Sequence, residues 1–331
     1  MAASRGLPAG VATYFGSTVW AGVVLWAAAS ISFVFVHTIL WVPREGVTRA
    51  ARFLIASVGM AIPPFGITGW AHPITAAGML FPGWGWLGLT ATLSALILMT
   101  TKVWPIVASV IAVAWIWSAL SWEDPRAPAG WTAIDTSISA ALGSGDDFSQ
   151  HQALAGLVSD QAAAGARVVV LPESALGALT PTVTRFWTDA LAGSDVTLIA
   201  GAVVLNPNGY QNVAARLDRS EAKVLYRERM PVPVSMWQPW RPWFGLPGGA
   251  EATFFGDPVV EVAGRHVAVL ICYEQLLIWP ILQSLRNEPD AIVAISNGWW
   301  ATGTSIPDIQ LACMKAWARL FGLPLVTALN R

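Results

Sequence analysis

A cysteine and a glutamate each follow an apolar run that is typical of a buried strand. Cys272 comes directly after residues 267–271, and Glu173 comes two positions after the run 166–171. Buried parallel strands deliver the residues that follow them to the carboxyl edge of a sheet, where ligands bind. A carboxylate that meets a thiol there forms a pair of general base and nucleophile. On position alone, the more ordinary role of Cys272 would be that of a small apolar side chain in a core.

A third apolar run, residues 291–295, is followed by the polar and aromatic residues 296–300, and Glu274 stands two positions after Cys272. A carboxylate placed directly after a buried strand is costly unless it is paired or takes part in chemistry. The polar groups that follow the three strands could therefore converge on one site.

Residues 131–331 alternate between strand-like and helix-like patterns. Helices are predicted at 150–164, 184–192, 278–285 and 309–321, and strands at 166–171, 196–204, 211–217, 259–262, 266–272 and 291–295. This alternation predicts an α/β domain with helices covering both faces of the sheet.

The first third of the chain has a different composition. Of the 331 residues, 55% are hydrophobic and only 12% are charged, and the apolar excess lies before residue 122. Since a membrane span needs about 20 apolar residues, the uncharged stretches predict four transmembrane helices, or five if the first stretch divides. These stretches are 11–41, 53–70, 73–101 and 103–122. We predict a helical transmembrane domain at 1–122, a linker at 123–130 and the α/β domain at 131–331.

Two details refine the membrane prediction. Pro63 and Pro64 predict a kink in the second span, because neighbouring helices can satisfy the freed backbone groups. Basic residues lie after the first span and at Lys102, which places those connections inside and the α/β domain outside, in the periplasm. A cleaved signal peptide is disfavoured, because the first apolar stretch is too long and three more follow it. We expect a multi-pass protein of the bacterial inner membrane.

Several function classes are disfavoured by composition. The net charge is −1 and there is no basic cluster outside 44–52, which argues against direct nucleic-acid binding. The four histidines are scattered without metal-ligand spacing, and there is no phosphate-binding loop, so we expect no metal and no cofactor. Cys272 and Cys313 are too few to form a disulfide framework and are expected to be free thiols.

Four motifs, in this order, resemble the carbon-nitrogen hydrolase (nitrilase) superfamily. They are Leu171-Pro172-Glu173-Ser174, the segment 226–233, Ile271-Cys272-Tyr273-Glu274 and Ser296-Asn297-Gly298-Trp299-Trp300. The resemblance covers 131–331 by motif and the membrane region by architecture. The chain is most similar to the membrane branch of the apolipoprotein N-acyltransferases and to conjugal transfer proteins of bacterial plasmids. This resemblance implies a nitrilase-type α-β-β-α sandwich. Related proteins continue beyond the position of Arg331, so we expect a domain that is short at its C-terminus either naturally or by truncation.

The resemblance also implies a mechanism. Glu173 would take the proton of Cys272, and the thiolate would attack an acyl carbonyl to form a thioester. In the family a lysine stabilises the oxyanion, but Glu228 stands at that position here. Three alternatives follow: Arg227 or Arg229 supplies the charge, Glu228 is a second acid that shares a proton, or the site has kept binding without chemistry.

Further roles follow from the same resemblance. Tyr273 and Glu274 would orient the site, although Glu274 could equally form a salt bridge to a surface arginine. Trp237, Asn297 and Trp299 would bind the substrate, with Trp299 lining the acyl pocket. Trp237 begins an aromatic, proline-rich stretch that is either a lid dipping toward lipid or a loop packed on its own domain.

Two functional hypotheses remain. The first is a thiol-dependent amidase or N-acyltransferase that acts on a membrane lipid or another acylated substrate, serving plasmid transfer. The second is a catalytically impaired membrane component that uses the fold as a binding module for proteins of the conjugation apparatus. The paired Cys272 and Glu173 favour the first hypothesis, and Glu228 favours the second.

Overall fold

The computed structural model describes residues 4–44, 46–70, 72–138 and 147–331, and the chain forms two compact units. The first unit comprises Met1–Pro125, Leu276–Ile281 and Gly303–Pro324. The second comprises Arg126–Gln275, Leu282–Thr302 and Leu325–Arg331. The segments 276–281 and 303–324, which the sequence pattern assigns to the α/β domain, thus belong to the first unit.

The first unit is helical. Its helices are α1 (Leu7–Phe15), α2 (Val19–Ile39), α3 (Val47–Ala61), α4 (Ala77–Leu80), α5 (Gly85–Leu98), α6 (Trp104–Leu120) and, from the end of the chain, α10 (Ile306–Phe321). Within the described part of the chain, only α2 is long and apolar enough to cross a membrane, and α5 and α6 are apolar but shorter. The predicted stretch 73–101 is not one helix, because two short helical turns precede α5.

The prolines of the second predicted span end a helix instead of kinking it. Helix α3 stops at Ala61, and Ile62 adopts an extended conformation with φ −128° and ψ 151°. A residue before proline is pushed out of the helical region by the proline ring, and proline has no N–H with which to continue the helix. The prediction of a kinked span at 53–70 was therefore wrong.

Close backbone contact explains why α10 groups with the amino-terminal helices. A Cβ atom placed on Gly78 of α4 would lie 1.7 Å from the carbonyl oxygen of Ala316, so only glycine permits this approach. Beside it, the Arg319 guanidinium lies 3.7 Å from the ring centroid of Trp122. Lys315 also pairs with Asp124 at 2.9 Å. None of these contacts is visible in sequence periodicity, because they join residues far apart in the chain.

The second unit contains two β-sheets. The first sheet has the order β1-β2-β3-β4-β5, with β1 to β3 parallel and β4 and β5 antiparallel, and the second has the order β6-β7-β8-β9, with β7 to β9 parallel. The strands are β1 (Trp131–Ala133), β2 (Val168–Val170), β3 (Thr197–Asn206), β4 (Gly209–Leu217), β5 (Ala222–Arg227), β6 (Val260–Val262), β7 (Arg265–Ile271), β8 (Ala291–Asn297) and β9 (Leu325–Asn330). Helices α7 (Asp147–Ala163) and α8 (Pro181–Leu191) also belong to this unit, and α9 (Ile278–Leu285) is divided between the two units after Ile281.

Two apolar layers hold this unit together. One lies between the sheets and joins residues such as Val170 and Tyr226 of the first sheet to Val269 and Ile295 of the second. The other lies on the far side of the first sheet, where Trp187 of α8 packs with residues of α7, β3 and β4. The predicted α/β sandwich is present, and most predicted elements agree to within a few residues. Strands β1, β5 and β9 are not among the strands predicted from the pattern.

Candidate active site

Cys272 sits at a sharp turn between strand and helix. Strand β7 ends at Ile271, Cys272 has φ +46°, and a short 3₁₀ helix runs over Cys272–Leu276. A positive φ is uncommon for a residue with a side chain and persists only where the surrounding contacts enforce it. Next to this turn, the Gln275 side chain donates to the carbonyl oxygens of Leu270 and Ile295 at 3.3 and 3.0 Å, which ties the turn to both strands. The nucleophile candidate therefore lies at the carboxyl end of the second sheet.

Glu173 reaches the same place from the other sheet. It follows β2, and its backbone lies so close to β3 that a Cβ atom on Gly201 would be 2.4 Å from the Glu173 Cα. The buried carboxylate accepts a hydrogen bond from the Cys272 thiol. Its Oε2 also accepts from the backbone N–H of Asn297 at 2.8 Å. The three strand ends thus meet, but across the sandwich, since β2 and β7 belong to different sheets.

Asn212 on β4 links two buried carboxyl groups. Its side-chain Nδ2 donates to Glu173 Oε1 at 2.7 Å and to Glu228 Oε2 at 2.9 Å. The backbone N–H of Glu228 in turn donates to the Asn212 carbonyl oxygen at 2.9 Å. Two buried side-chain oxygens of this group, Asn212 Oδ1 and Glu228 Oε1, have no hydrogen-bond partner within the described residues. Buried polar atoms are nearly always paired, so these two are candidates for contact with a bound ligand.

The surroundings of the site raise the pKa values of its carboxyl and thiol groups. Burial raises the pKa of Glu173 to about 6, against the effect of its hydrogen bonds from Cys272 and Asn212. Burial and the neighbouring carboxylates of Glu173 and Glu228 raise the pKa of the Cys272 thiol well above its usual value. Burial, together with Glu173 and Glu274, raises the pKa of Glu228 well above the usual range for glutamate. At neutral pH the site therefore holds a thiol hydrogen-bonded to the Glu173 carboxylate.

Glu274 anchors a second buried cluster. Its carboxylate accepts from the Tyr226 hydroxyl at 2.7 Å and from the backbone N–H of Ile271 at 2.8 Å. The fully buried Arg229 lies 3.8 Å from Glu274 Oε1 and donates to Tyr226 Oη at 2.8 Å and Ser284 Oγ at 2.9 Å. Burial raises the pKa of Glu274, while Arg229 opposes that rise. Glu274 is thus paired with a buried arginine, and not with a surface one.

The pairing of the arginines bears on the alternative that Arg227 or Arg229 replaces the oxyanion-stabilising lysine. The Arg229 guanidinium is committed to Glu274, Tyr226 and Ser284, so it does not supply charge beside Cys272. The partly exposed Arg227 donates to Gln211 at 3.0 Å and lies 3.9 Å from Asp257. Each arginine thus has a carboxylate partner of its own, which disfavours the alternative that either one supplies the oxyanion charge.

The remaining predicted site residues are partly buried. Asn297 accepts from Asn330 Nδ2 at 2.8 Å through its side chain, and Trp299 follows in a 3₁₀ turn at the end of β8. The pKa of the Tyr273 hydroxyl is raised by burial. Trp237 packs edge-on against Phe254, with ring centroids 5.8 Å apart.

The aromatic stretch after Trp237 is partly exposed. Trp243 and Phe244 are 82% and 72% exposed, in a 3₁₀ turn that spans Arg241–Phe244. The tip of this stretch is therefore not packed on its own domain. Trp237 at its beginning contacts Phe254, and its part in substrate binding stays a prediction.

Sequence reasoning missed Asn212, Tyr226 and Gly201. One signal could have revealed Asn212: β4 alternates, and the face that carries Ala214 in the layer between the sheets also carries this polar residue. Gly201 could have been suspected because it interrupts an apolar strand, which often marks a close backbone approach. Among the described residues, no group of three His, Cys, Asp or Glu side chains is arranged to hold a metal ion.

Comparison with known proteins relates this arrangement to others. Residues 2–319 match the carbon-nitrogen hydrolase family. A probable conjugal transfer protein TraB of Sinorhizobium fredii is 52% identical over 330 residues, covering 100% of this chain and 85% of the relative. An apolipoprotein N-acyltransferase of Vibrio parahaemolyticus is 32% identical over 97 residues, covering 28% of this chain and 19% of that protein. A crystallised mutant of the Nesterenkonia AN1 amidase, from the nitrilase superfamily, has 17% identity and a TM-score of 0.43 over 62% of this chain and 78% of its own.

Proposed function

The chain belongs to the carbon-nitrogen hydrolase family, and from this premise we propose that it is a thiol-dependent amidase or N-acyltransferase acting in plasmid conjugal transfer. The observation that carries the proposal is the hydrogen bond from the Cys272 thiol to the buried Glu173 carboxylate. A nucleophile within hydrogen-bond reach of its base is the arrangement that covalent acyl transfer requires. The conjugation context is supported by the name of the relative that is 52% identical.

The first half of the reaction forms a thioester. Glu173 accepts the thiol proton while the Cys272 sulfur bonds to the acyl carbon, and the carbonyl electron pair moves onto oxygen. The tetrahedral intermediate then re-forms the carbonyl and expels the amine or alcohol, which takes the proton from Glu173. In the second half, Glu173 takes a proton from the incoming water or amine as it attacks the thioester carbon. The tetrahedral intermediate then breaks the carbon–sulfur bond, and Glu173 gives the proton to the Cys272 sulfur.

The order of proton transfer follows from the two pKa values. The pKa of Cys272 is raised well above its usual value, and that of Glu173 is about 6, so the resting site contains a thiol and not a thiolate. The proton must therefore move as the sulfur attacks. Such general-base catalysis requires Glu173 to be ionised, and we expect the acylation rate to rise with pH through about 6.

For location, we propose a multi-pass protein of the inner membrane with the sandwich unit in the periplasm. The support is the apolar helix α2, the shorter apolar helices α5 and α6, and the basic residues near 44–52. Alkaline phosphatase fused after Arg331 should be active, and green fluorescent protein fused at the same point should not fluoresce. Bright green fluorescence with inactive phosphatase would refute the periplasmic placement.

The second candidate function is a binding module without catalysis. Glu228 favours it, because a carboxyl group occupies the position at which the motif resemblance implies an oxyanion-stabilising lysine, and an ionised carboxylate there would repel the oxyanion. In this alternative the fold would contact proteins of the conjugation apparatus.

Acylation of Cys272 separates the two candidates. Full-length protein in detergent is incubated with a fluorescent phospholipid or a p-nitrophenyl ester and analysed by intact mass. We expect one acyl adduct, lost in Cys272→Ala, reduced at least a hundredfold in Glu173→Gln, and retained in the matched control Cys313→Ala. If folded wild-type protein forms no adduct with either donor, the enzymatic proposal is wrong and the binding module is favoured.

A further inference from the structure

We propose that Glu228 is a catalytic residue that works as a neutral carboxylic acid, donating a hydrogen bond to the acyl oxygen of the substrate. This inference rests on the proposed acyl transfer at Cys272 and deepens it. It gives the site the oxyanion donor that neither Arg227 nor Arg229 provides, since both are paired elsewhere.

The hydrogen-bond pattern identifies which oxygen carries the proton. Glu228 Oε2 accepts from Asn212 Nδ2 at 2.9 Å, so this oxygen acts as the acceptor. The nitrogen of the Asn212 amide must face Glu228, because the same atom donates to Glu173 Oε1 at 2.7 Å and only an N–H₂ group can donate to two acceptors. The proton of a neutral Glu228 therefore resides on Oε1. That atom has no hydrogen-bond partner within the part of the chain that the structure describes.

The surroundings of Glu228 oppose its ionisation. The residue is 1% exposed, and the ionisable groups that act on it are the carboxyls of Glu173 and Glu274. Of the two arginines that flank Glu228 in sequence, Arg229 pairs with Glu274 and contacts Tyr226 and Ser284, and Arg227 lies 3.9 Å from Asp257. A buried carboxyl beside another carboxylate keeps its proton, because the second negative charge would have no compensation. Glu173 therefore carries the charge of the pair, and Glu228 the proton.

The position of Glu228 suits contact with the reacting atoms. It is joined through Asn212 to Glu173, and Glu173 accepts from the Cys272 thiol. A charge on Glu228 would raise the pKa of that thiol, so the two side chains share one electrostatic environment. During attack, the sulfur–carbon bond forms and the carbonyl electron pair moves onto oxygen, while the Glu228 proton stays on Oε1 and stabilises the new charge. A carboxylic acid held neutral by its site can serve as such a donor.

The test compares two reactions of the same thiol. Acylation by p-nitrophenyl acetate passes through an oxyanion, whereas alkylation by iodoacetamide displaces iodide and does not. Both rates are measured on full-length protein by intact mass for wild type, Glu228→Gln and Glu228→Leu. Glutamine keeps an N–H donor of the same shape, and leucine removes the donor.

We expect Glu228→Leu to lower the acylation rate about a hundredfold or more, because loss of one oxyanion donor has effects of that size. Alkylation should change less than threefold in both variants, since no charge is removed. Glu228→Gln should recover acylation to within about tenfold of wild type. In infrared spectra at pH 7, wild type should show a protonated carboxyl stretch that Glu228→Gln lacks.

Each outcome bears on one proposal. Equal acylation rates in wild type and Glu228→Leu would overturn the role of Glu228 and leave Cys272 catalysis intact. Faster alkylation in Glu228→Gln, together with a missing infrared band, would show that Glu228 is ionised and would likewise overturn it. No acylation of wild type, with alkylation intact, would instead refute the proposed function.

Discussion

Replacement of Glu173 by glutamine should make the protein more stable at neutral pH while it lowers the acylation rate at least a hundredfold. Burial raises the pKa of Glu173 from 4.5 to about 6, so the folded state favours the protonated acid. Because the folded pKa lies above the unfolded one, this contribution to stability is complete below pH 4.5 and is lost as the pH rises through about 6. A difference of about 1.5 pKa units corresponds to roughly 2 kcal/mol of unfolding free energy.

The measurement is the difference in unfolding free energy between Glu173→Gln and wild type, taken at several pH values from 4 to 8. We expect this difference to shift in favour of the variant by about 2 kcal/mol across the range, or roughly 4 to 8 °C in melting temperature for a unit of this size. Any pH-independent effect of the amide, such as its contact with the Asn297 N–H, cancels in the comparison. Removal of an exposed carboxylate, Glu261→Gln, serves as the control. If unfolding free energy varied with pH in the same way for wild type and Glu173→Gln, the argument that burial raises the pKa of Glu173 would be refuted.

Three further predictions address the supports of the site. Arg229→Met should destabilise the protein by about 3 to 5 kcal/mol in chemical denaturation, because it leaves Glu274 buried without its cation; a change below 1 kcal/mol would contradict the buried ion pair. Gly201→Ala should lower the free energy of unfolding by about 1 to 3 kcal/mol and slow acylation at least tenfold, since its Cβ would lie 2.4 Å from the Glu173 Cα. A normal acylation rate would show that the backbone at Glu173 can shift without affecting the reaction. The unpartnered Asn212 Oδ1 should favour amides over esters of the same acyl group by about tenfold or more, because only an amide offers an N–H to this oxygen. The acylation rates are corrected for the intrinsic reactivity of each substrate. Equal corrected rates would argue that Asn212 Oδ1 does not face the substrate.

Local pattern predicted the elements of the sandwich well. Strands such as 211–217 and helices such as 278–285 agree closely with β4 and α9, because period-two and period-3.6 patterns reflect burial directly. The membrane region was predicted less well. Uncharged length alone cannot show where a helix is interrupted, and Pro63 and the turns before α5 divide stretches that hydropathy treats as continuous.

The sequence by itself determined that Cys272 and Glu173 follow apolar runs typical of buried strands, and the motif resemblance singled the two residues out as a pair. A carboxylate at the end of such a run has to be paired or chemically active. The tertiary structure alone decided which residues support that pair. Asn212, two buried carboxyls and the Arg229 cluster come together across two sheets, and their pKa values depend on burial and on charges that are distant in sequence. The pKa of a group depends on its surroundings in the folded protein. The sequence around Glu228 therefore could not show that its site favours the protonated acid.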